Sequence, residues 1–514
     1  MRLSWLGTPA RVIAILGVGV VWQRLAERGL GAWSPGLWII VAFAIAVLAY
    51  ACVIVWRGRE ARLPILRSPS LAWTVALALI ACAASVALYR PILSIGLLAD
   101  DYSLLKVARE FELTPIGWGY LRPFGLLVWW VVVQLDPAAD MAFRLHLLNV
   151  LLHGVNAALV GHLALLLGRP ARTAMLASCL FLVSPLAVEP VVWCSAVFDV
   201  LLATFALALC IVMARRQTLR PSDVALCLGL GVLMMATKET GVIAGPLALL
   251  AYWTRWGYQG RSAYLVAFTL TGFAVAYAIM RQLTGRLDPR AVPSADPDSI
   301  ARLLTHSAAA LFVPVHQLLG TAQPLVAVLV PAVLILLLVA WTYRWERGPD
   351  GARLALFAAA TVLLATAPTM TPFAVLGDLQ GSRYLYVPMA AWAIALAAAI
   401  LDGPGSRARW MTRVPVAILM VAGAASVVTI HLQPWHDARR VRDRALLRLS
   451  GLPLSCVRVH ARGVPDNVAG AFVFRNGLTE AAATIGREYE FVREGQADKG
   501  CDIDLTDPRA VAAL

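Results

Sequence analysis

Stretches of about 15 to 27 consecutive apolar residues recur from the N-terminus to Ile430, separated by short polar or basic pieces. A helix of about 20 apolar residues spans a hydrocarbon core of about 30 Å, so this pattern requires a chain that crosses a bilayer many times. The composition agrees: 60% of residues are hydrophobic and 14% charged, far from the profile of a soluble globular chain. After Ile430 the pattern changes. Charges return, Pro465-Asp466-Asn467 and Arg475-Asn476-Gly477 read as turns, and Ala471–Phe474 alternates. The expectation is an all-α polytopic membrane protein with a small C-terminal α/β soluble module, without tandem repeats.

The formal charge of +14 is almost all arginine, with Lys106, Lys238 and Lys499 the only lysines. It clusters in short loops between apolar runs, which orients a membrane protein and offers no basic stripe to nucleic acid. The basic loops are Trp56–Arg59, Gly168–Arg172, Arg215-Arg216, Arg255–Arg261, Arg344–Arg353 and Arg407–Arg413. All of them fall in the cytoplasm if two runs are laid on the outer surface. One is Pro123–Leu135, whose thirteen helical residues reach about 20 Å and cannot span. The other is Ala301–Leu319, with Arg302, His306, His316 and Gln317. About thirteen transmembrane helices plus outer interfacial helices then remain, with the N-terminus inside and the C-terminus outside. Arg2 and Arg11 precede an apolar run to Trp22 with no small-residue cleavage site, which reads as an uncleaved first helix.

Six of the eight cysteines lie in or beside apolar runs, where Cys behaves as a small hydrophobe. No CxxC or Cys/His metal spacing occurs. Cys456 and Cys501 fall in the tail, where an oxidising compartment would permit a disulfide.

This threading gathers ionisable residues on the outer face. Asp100-Asp101 sit just past the run Leu71–Leu98, and a carboxylate pair at the rim of a bilayer is costly. Asp101 is placed to cap the helix that follows, leaving Asp100 free. Arg122, Glu189, Asp199, Lys238-Glu239 and Arg383 share this side. Lys238 and Glu239 on a helix would project about 100° apart and not pair. Lys238 reads either as a snorkelling side chain or as a phosphate contact, and Arg383 as an interfacial anchor or a phosphate clamp. His146, Asn149, His153 and Asn156 share one helix face. Interhelical hydrogen bonding accounts for the last three. His146, nearest the outer end, is the site neighbour. No carboxylate joins this stripe at ligand spacing, so no metal site is assigned.

Six fragments occur in an order that resembles a known family. They are Ala99-Asp100-Asp101, Leu121-Arg122-Pro123-Phe124, His146–Asn156, Ser184–Trp193, Thr237-Lys238-Glu239 and Ser382–Pro388. The set is similar to the membrane domain of the transmembrane O-mannosyltransferases with tetratricopeptide repeats and their bacterial relatives. More broadly it resembles the C-type (GT-C) glycosyltransferases, including protein O-mannosyltransferases and aminoarabinose transferases. The resemblance covers about Leu71 to Leu401. It implies a GT-C-like catalytic domain over 71–431; the extra transmembrane helices expected over 1–70 lie outside the resemblance, and the change of composition after Ile430 marks an extracytoplasmic module over 432–514. The resemblance further implies transfer of a sugar, with inversion, from a polyprenyl-phosphate donor to a glycan or protein acceptor. Asp100 and Asp101 would be catalytic, Arg383, Lys238 and Arg122 would face the donor phosphate, and Glu189, Glu239, His146 and Asp199 would line the site. No cofactor is required, and a divalent cation is left open. Three departures bear on the acceptor: Ser184 and Ala187 stand where relatives often carry His, and the tetratricopeptide array is missing.

The Ala/Arg/Leu-heavy usage fits a GC-rich bacterial genome and hence the bacterial cytoplasmic membrane. Two other readings stand beside the enzyme: a transporter or flippase of lipid-linked sugars, and a catalytically inactive relative. A transporter buries ionisable groups near the midplane and often carries an internal repeat. Here the charges gather at the rim and no repeat is seen.

Overall fold

The computed structural model describes residues 70–111, 121–135, 141–257, 260–283, 349–366, 378–402, 407–491 and 501–506, with a few isolated positions between them. The expectations for 1–69, and for most of Ala301–Leu319, lie outside the described residues.

The first described helix, α1 (Leu71–Tyr89), starts where the Ser70 hydroxyl accepts the Trp73 N–H at 3.2 Å, satisfying an orphan donor of the first turn. It tightens into a 3-10 turn at Arg90–Ser94, where Pro91 sits at the start. Then come α2 (Asp100–Glu110), α3 (Pro123–Leu135), α4 (Met141–Leu166), α5 (Ala171–Leu182), the one-turn α6 (Val188–Val192) and α7 (Val197–Arg215). The chain continues with α8 (Pro221–Thr237), α9 (Ala244–Trp256), α10 (Arg261–Leu283), α11 (Pro349–Thr366), α12 (Tyr386–Leu401), α13 (Arg407–His431) and α14 (Gln433–Ser450).

Helix α4 is the hub, packed on α1, α5 and α7. The crossing with α1 is close because Gly154 carries no side chain: a Cβ there would sit 2.5 Å from the Cys82 Cα. The polar stripe of α4 is spent on neighbouring backbone. Asn149 donates to the Trp193 carbonyl at 2.9 Å, His153 Nε2 to Leu182 at 2.9 Å and Asn156 to Val200 at 3.0 Å. These bonds tie α4 to the irregular 183–196 segment, to the end of α5 and to α7, so the stripe sets helix register. At the other end of the bundle Arg169 meets Asp402 at 2.9 Å, and the Thr173 hydroxyl donates to the same carboxylate.

Six described helices are long and apolar enough to cross a membrane, or seven if the bent pair Ala171–Leu182 and Pro185–Val192 is one span. Helices α3 and α8, and the Arg353–Thr366 part of α11, are shorter apolar segments. The thirteen spans expected from the sequence included runs outside the described residues. Pro123–Leu135 forms one helix with the expected bounds, and buries Trp129 against Leu104 and Leu105 of α2 within one apolar cluster.

Past α14 the chain forms β1 (Arg458–Arg462), the paired β2 (Asn467–Val468) and β3 (Ala471–Phe472), α15 (Leu478–Thr484), β4 (Glu490–Phe491) and β5 (Cys501–Asp504). β1 is central and parallel to both β4 and β5, while β2 and β3 are antiparallel. A disulfide joins Cys456 to Cys501 with the Cα atoms 5.9 Å apart. The β2–β3 hairpin does not stand apart from the helices. Phe472 is fully buried and packs its ring 4.6 Å from that of Trp193.

Candidate active site

The segment 95–99, between the first described span and α2, has its backbone held from several elements. Arg442 of α14 donates from one guanidinium nitrogen to the Ile95 and Leu97 carbonyls, both at 2.8 Å. Gly96 has φ +78°, and a Cβ there would collide with this guanidinium at 2.5 Å, so only glycine fits. His146 Nε2 donates to the Gly96 carbonyl at 3.1 Å, and Trp193 Nε1 to the Leu98 carbonyl at 3.3 Å. The Ala99 N–H donates to the Val473 carbonyl at 2.8 Å. Ala99 itself lies at φ 49°, unfavourable for a residue with a Cβ and tolerated only where the surroundings over-determine it.

This segment delivers the two aspartates to different places. Asp101 is 1% exposed. It accepts the Leu98 N–H at 2.9 Å, the Ser195 N–H at 2.7 Å and the Ser195 hydroxyl. It does not cap α2. The cap position is Ala99, with no side-chain bond, because the Asp101 carboxylate turns back to Leu98 and across to Ser195. Burial pushes the Asp101 carboxyl up to about 7, against the lowering effect of these donors and with Asp100 adding to the rise. Asp100 is half-buried, and Oδ1 accepts the Asn476 amide at 2.6 Å.

The expected cations and carboxylates form one connected cluster. Arg383, in the 3-10 turn Ser382–Leu385 that opens α12, pairs with Glu189 of α6. Its guanidinium lies over Trp193 at 4.9 Å and over Tyr384 at 4.8 Å. Lys238 Nζ lies 5.0 Å from the centroid of the same Tyr384 ring and pairs with Asp199 at the start of α7. Phe198, next to Asp199, carries the Arg122 guanidinium 5.0 Å over its ring, and Arg122 forks onto Glu239 at 2.9 to 3.2 Å. Lys238 and Glu239 do not share a helix. Lys238 is extended at the end of α8 and Glu239 opens the following 3-10 turn, which sends them to separate partners.

Each cation is thus fixed by a carboxylate, and of the three N–H donors that Lys238 carries Asp199 takes one. His146 stands one layer behind, its ring nitrogens 3.4 and 3.5 Å from the buried Cys194 thiol. Among the described residues no group of three or more His, Cys, Asp or Glu is arranged to hold a metal. Ser195 carries no sequence signal, and Trp193, Phe472 and Asn476 stand in the sequence only as parts of a fragment, a strand and a turn, not as neighbours of the site. Arg475-Asn476-Gly477 reads there only as a turn, and nothing local says that it folds back onto Asp100.

A small open cleft lies beside Glu189, lined by Asp378, Gln380, Ser382, His431, Trp435 and the 469–471 turn.

No protein-family model matches the chain, and no curated protein matches it in sequence. Solved structures are similar to it at low identity. The crystal structure of ArnT from Cupriavidus metallidurans bound to undecaprenyl phosphate aligns with 13% identity over 83% of this chain and 86% of that one, at a TM-score of 0.49. The apo oligosaccharyltransferase of Archaeoglobus fulgidus aligns with 14% identity over 75% of this chain, at a TM-score of 0.41. This chain spans 59% of that protein's length.

Proposed function

We propose that the chain is an integral-membrane glycosyltransferase of the GT-C kind, moving a sugar from a polyprenyl-phosphate donor to an extracytoplasmic acceptor. The observation that carries this reading is the juxtaposition of a cation cluster and a partly accessible carboxylate, linked through Trp193. That residue supports the Arg383 guanidinium on its ring and holds the Asp100 segment through its Nε1.

In the proposed reaction the acceptor hydroxyl oxygen attacks the anomeric carbon. Its proton passes to Asp100, and the bond from that carbon to the phosphate oxygen breaks with its electron pair leaving on the polyprenyl phosphate. One face of the carbon receives the nucleophile as the other loses the phosphate, so configuration inverts. Asp100 is better suited than Asp101 to accept the proton, because Asp101 has Leu98 and Ser195 donating to both its oxygens. Negative charge develops on the departing phosphate, and prearranged cations stabilise it without reorganising. Arg383, Lys238 and Arg122 supply that charge, and Glu189, Asp199 and Glu239 fix their positions. The Cys456–Cys501 disulfide fits a tail on the oxidising side of a cytoplasmic membrane.

The test is consumption of labelled polyprenyl-phosphate sugars by membranes containing the protein, beside membranes containing Asp100→Asn. Consumption by the wild type and loss by about a hundredfold or more in the variant is the expected result. Equal turnover by both removes Asp100 from the chemistry. No consumption of any such donor by the wild type removes the transferase reading.

A further inference from the structure

Resting on that reading, we infer that Asn476, in the C-terminal segment, is a positioning residue for Asp100, so that the reaction centre is completed by the tail. Four contacts bring them together. The Asn476 amide donates to Asp100 Oδ1 at 2.6 Å. Three residues earlier, the Val473 carbonyl accepts the Ala99 N–H at 2.8 Å, which fixes the strained residue immediately before Asp100. Gly477 has φ +84°, and a Cβ there would lie 2.7 Å from the Ala99 carbonyl oxygen, so the backbones touch at this point. Phe472 packs its ring 4.6 Å from that of Trp193 and carries the Arg475 guanidinium 5.2 Å over it, which anchors the 472–477 stretch.

The chemical consequence concerns direction. A carboxylate used as a base has several lone-pair sites, and a donor held on one of them fixes the plane of the group and leaves the others for the acceptor proton. Among the described residues Asn476 is the one hydrogen-bond partner of the Asp100 side chain, so without it the side chain gains rotamer freedom at the position where a near-attack geometry is required. Misplacement by about 1 Å at such a position costs about a hundredfold in rate. Asn476 touches neither sugar nor phosphate in this scheme, and acts through Asp100.

Three variants in full-length protein in membranes decide the matter. Asn476→Ala should lower kcat about tenfold or more while leaving the donor KM and the thermal unfolding temperature unchanged. Asn476→Asp keeps the shape but sets a second carboxylate against the first, and its kcat should fall at least as far. Asn467→Ala, in the preceding hairpin with its amide turned to Asp466 at 3.3 Å, should behave as wild type. Wild-type kcat in Asn476→Ala overturns the inference, as does a loss confined to KM or accompanied by an equal loss in Asn467→Ala. An inactive wild type instead overturns the transferase reading, so the two failures are distinguishable.

Discussion

Glu189 grips Arg383 at two points, accepting from its guanidinium and, at 3.1 Å, from its own backbone N–H. The Ser382 hydroxyl adds a third bond to the same carboxylate at 3.2 Å. A buried acid therefore fixes both the guanidinium and the turn that opens α12. Proline helps to place it: Pro185 and Pro190 keep the 185–192 stretch in short turns instead of one straight helix, and the segment bends 49° away from α5.

Arg383→Lys tests what the guanidinium contributes beyond charge. An ammonium retains the charge but loses the planar fork and most of the stacking on Trp193 and Tyr384. We expect sugar transfer to fall about tenfold or more with expression retained. Arg383→Ala should also destabilise the protein by about 3–5 kcal/mol, since it strands the Glu189 carboxylate. Equal transfer by Lys and Arg at 383 would leave the residue only an interfacial anchor.

The sequence revealed the long apolar helices and the short α3, because both are written in local apolar length. What it could not carry was pairing. Arg122 and Glu239 are 117 positions apart, and Asp100 and Asn476 are 376 apart. No periodicity encodes which charge meets which. The capping role expected for Asp101 follows local statistics, and Ser195, brought in by the 193–196 turn, outcompetes it.

Asp101 should make stability pH-dependent in a definite direction. Its carboxyl titrates at about 7 when folded, above its unfolded value, because burial disfavours the anion. The folded state therefore binds the proton more tightly, and a penalty builds from about pH 4, where the unfolded carboxyl ionises, and levels off above about 7. The full effect is roughly 1 to 4 kcal/mol. Between pH 5 and 8 the detergent-solubilised wild type should lose more thermal stability than Asp101→Asn, which cannot titrate. Parallel losses in the two proteins would refute the assignment.

Gly154 tests the hub. A methyl group there would press on the Cys82 backbone at 2.5 to 2.7 Å, and backbone cannot swing aside as a side-chain tip can. Gly154→Leu should separate α1 from α4 and lower stability by about 1–3 kcal/mol or more, as overpacking does. Gly229, with nothing within 4 Å, is the matched control, and Gly229→Leu should be tolerated. Similar unfolding temperatures for the two variants would contradict the described crossing.

Topology follows from the proposed function and is open to direct labelling. Single cysteines engineered beside Asp100, beside Asp378 and in the tail should react with an impermeant maleimide in intact cells. Cysteines replacing Arg172 and Arg409 should react only after permeabilisation. The reverse pattern would put the aspartates in the cytoplasm and remove the extracytoplasmic acceptor from consideration.

The disulfide gives the last test. Cys456 lies just before β1 and Cys501 opens β5, so the bridge fastens the start of the central strand to a parallel neighbour 45 residues on. Parallel partners cannot be joined by a tight turn, and closing the long connection costs entropy in the unfolded chain. On the chain-entropy account a bridge over this separation stabilises by about 4 kcal/mol. The sheet it ties is small, with two paired positions between β1 and β4 and four between β1 and β5. Cys456→Ser with Cys501→Ser should therefore expose the tail to limited proteolysis while the helices stay protected. Because Asn476 reaches Asp100 from this tail, sugar transfer should fall with it. A non-reducing peptide map that finds both thiols alkylated in the untreated protein would refute the bridge.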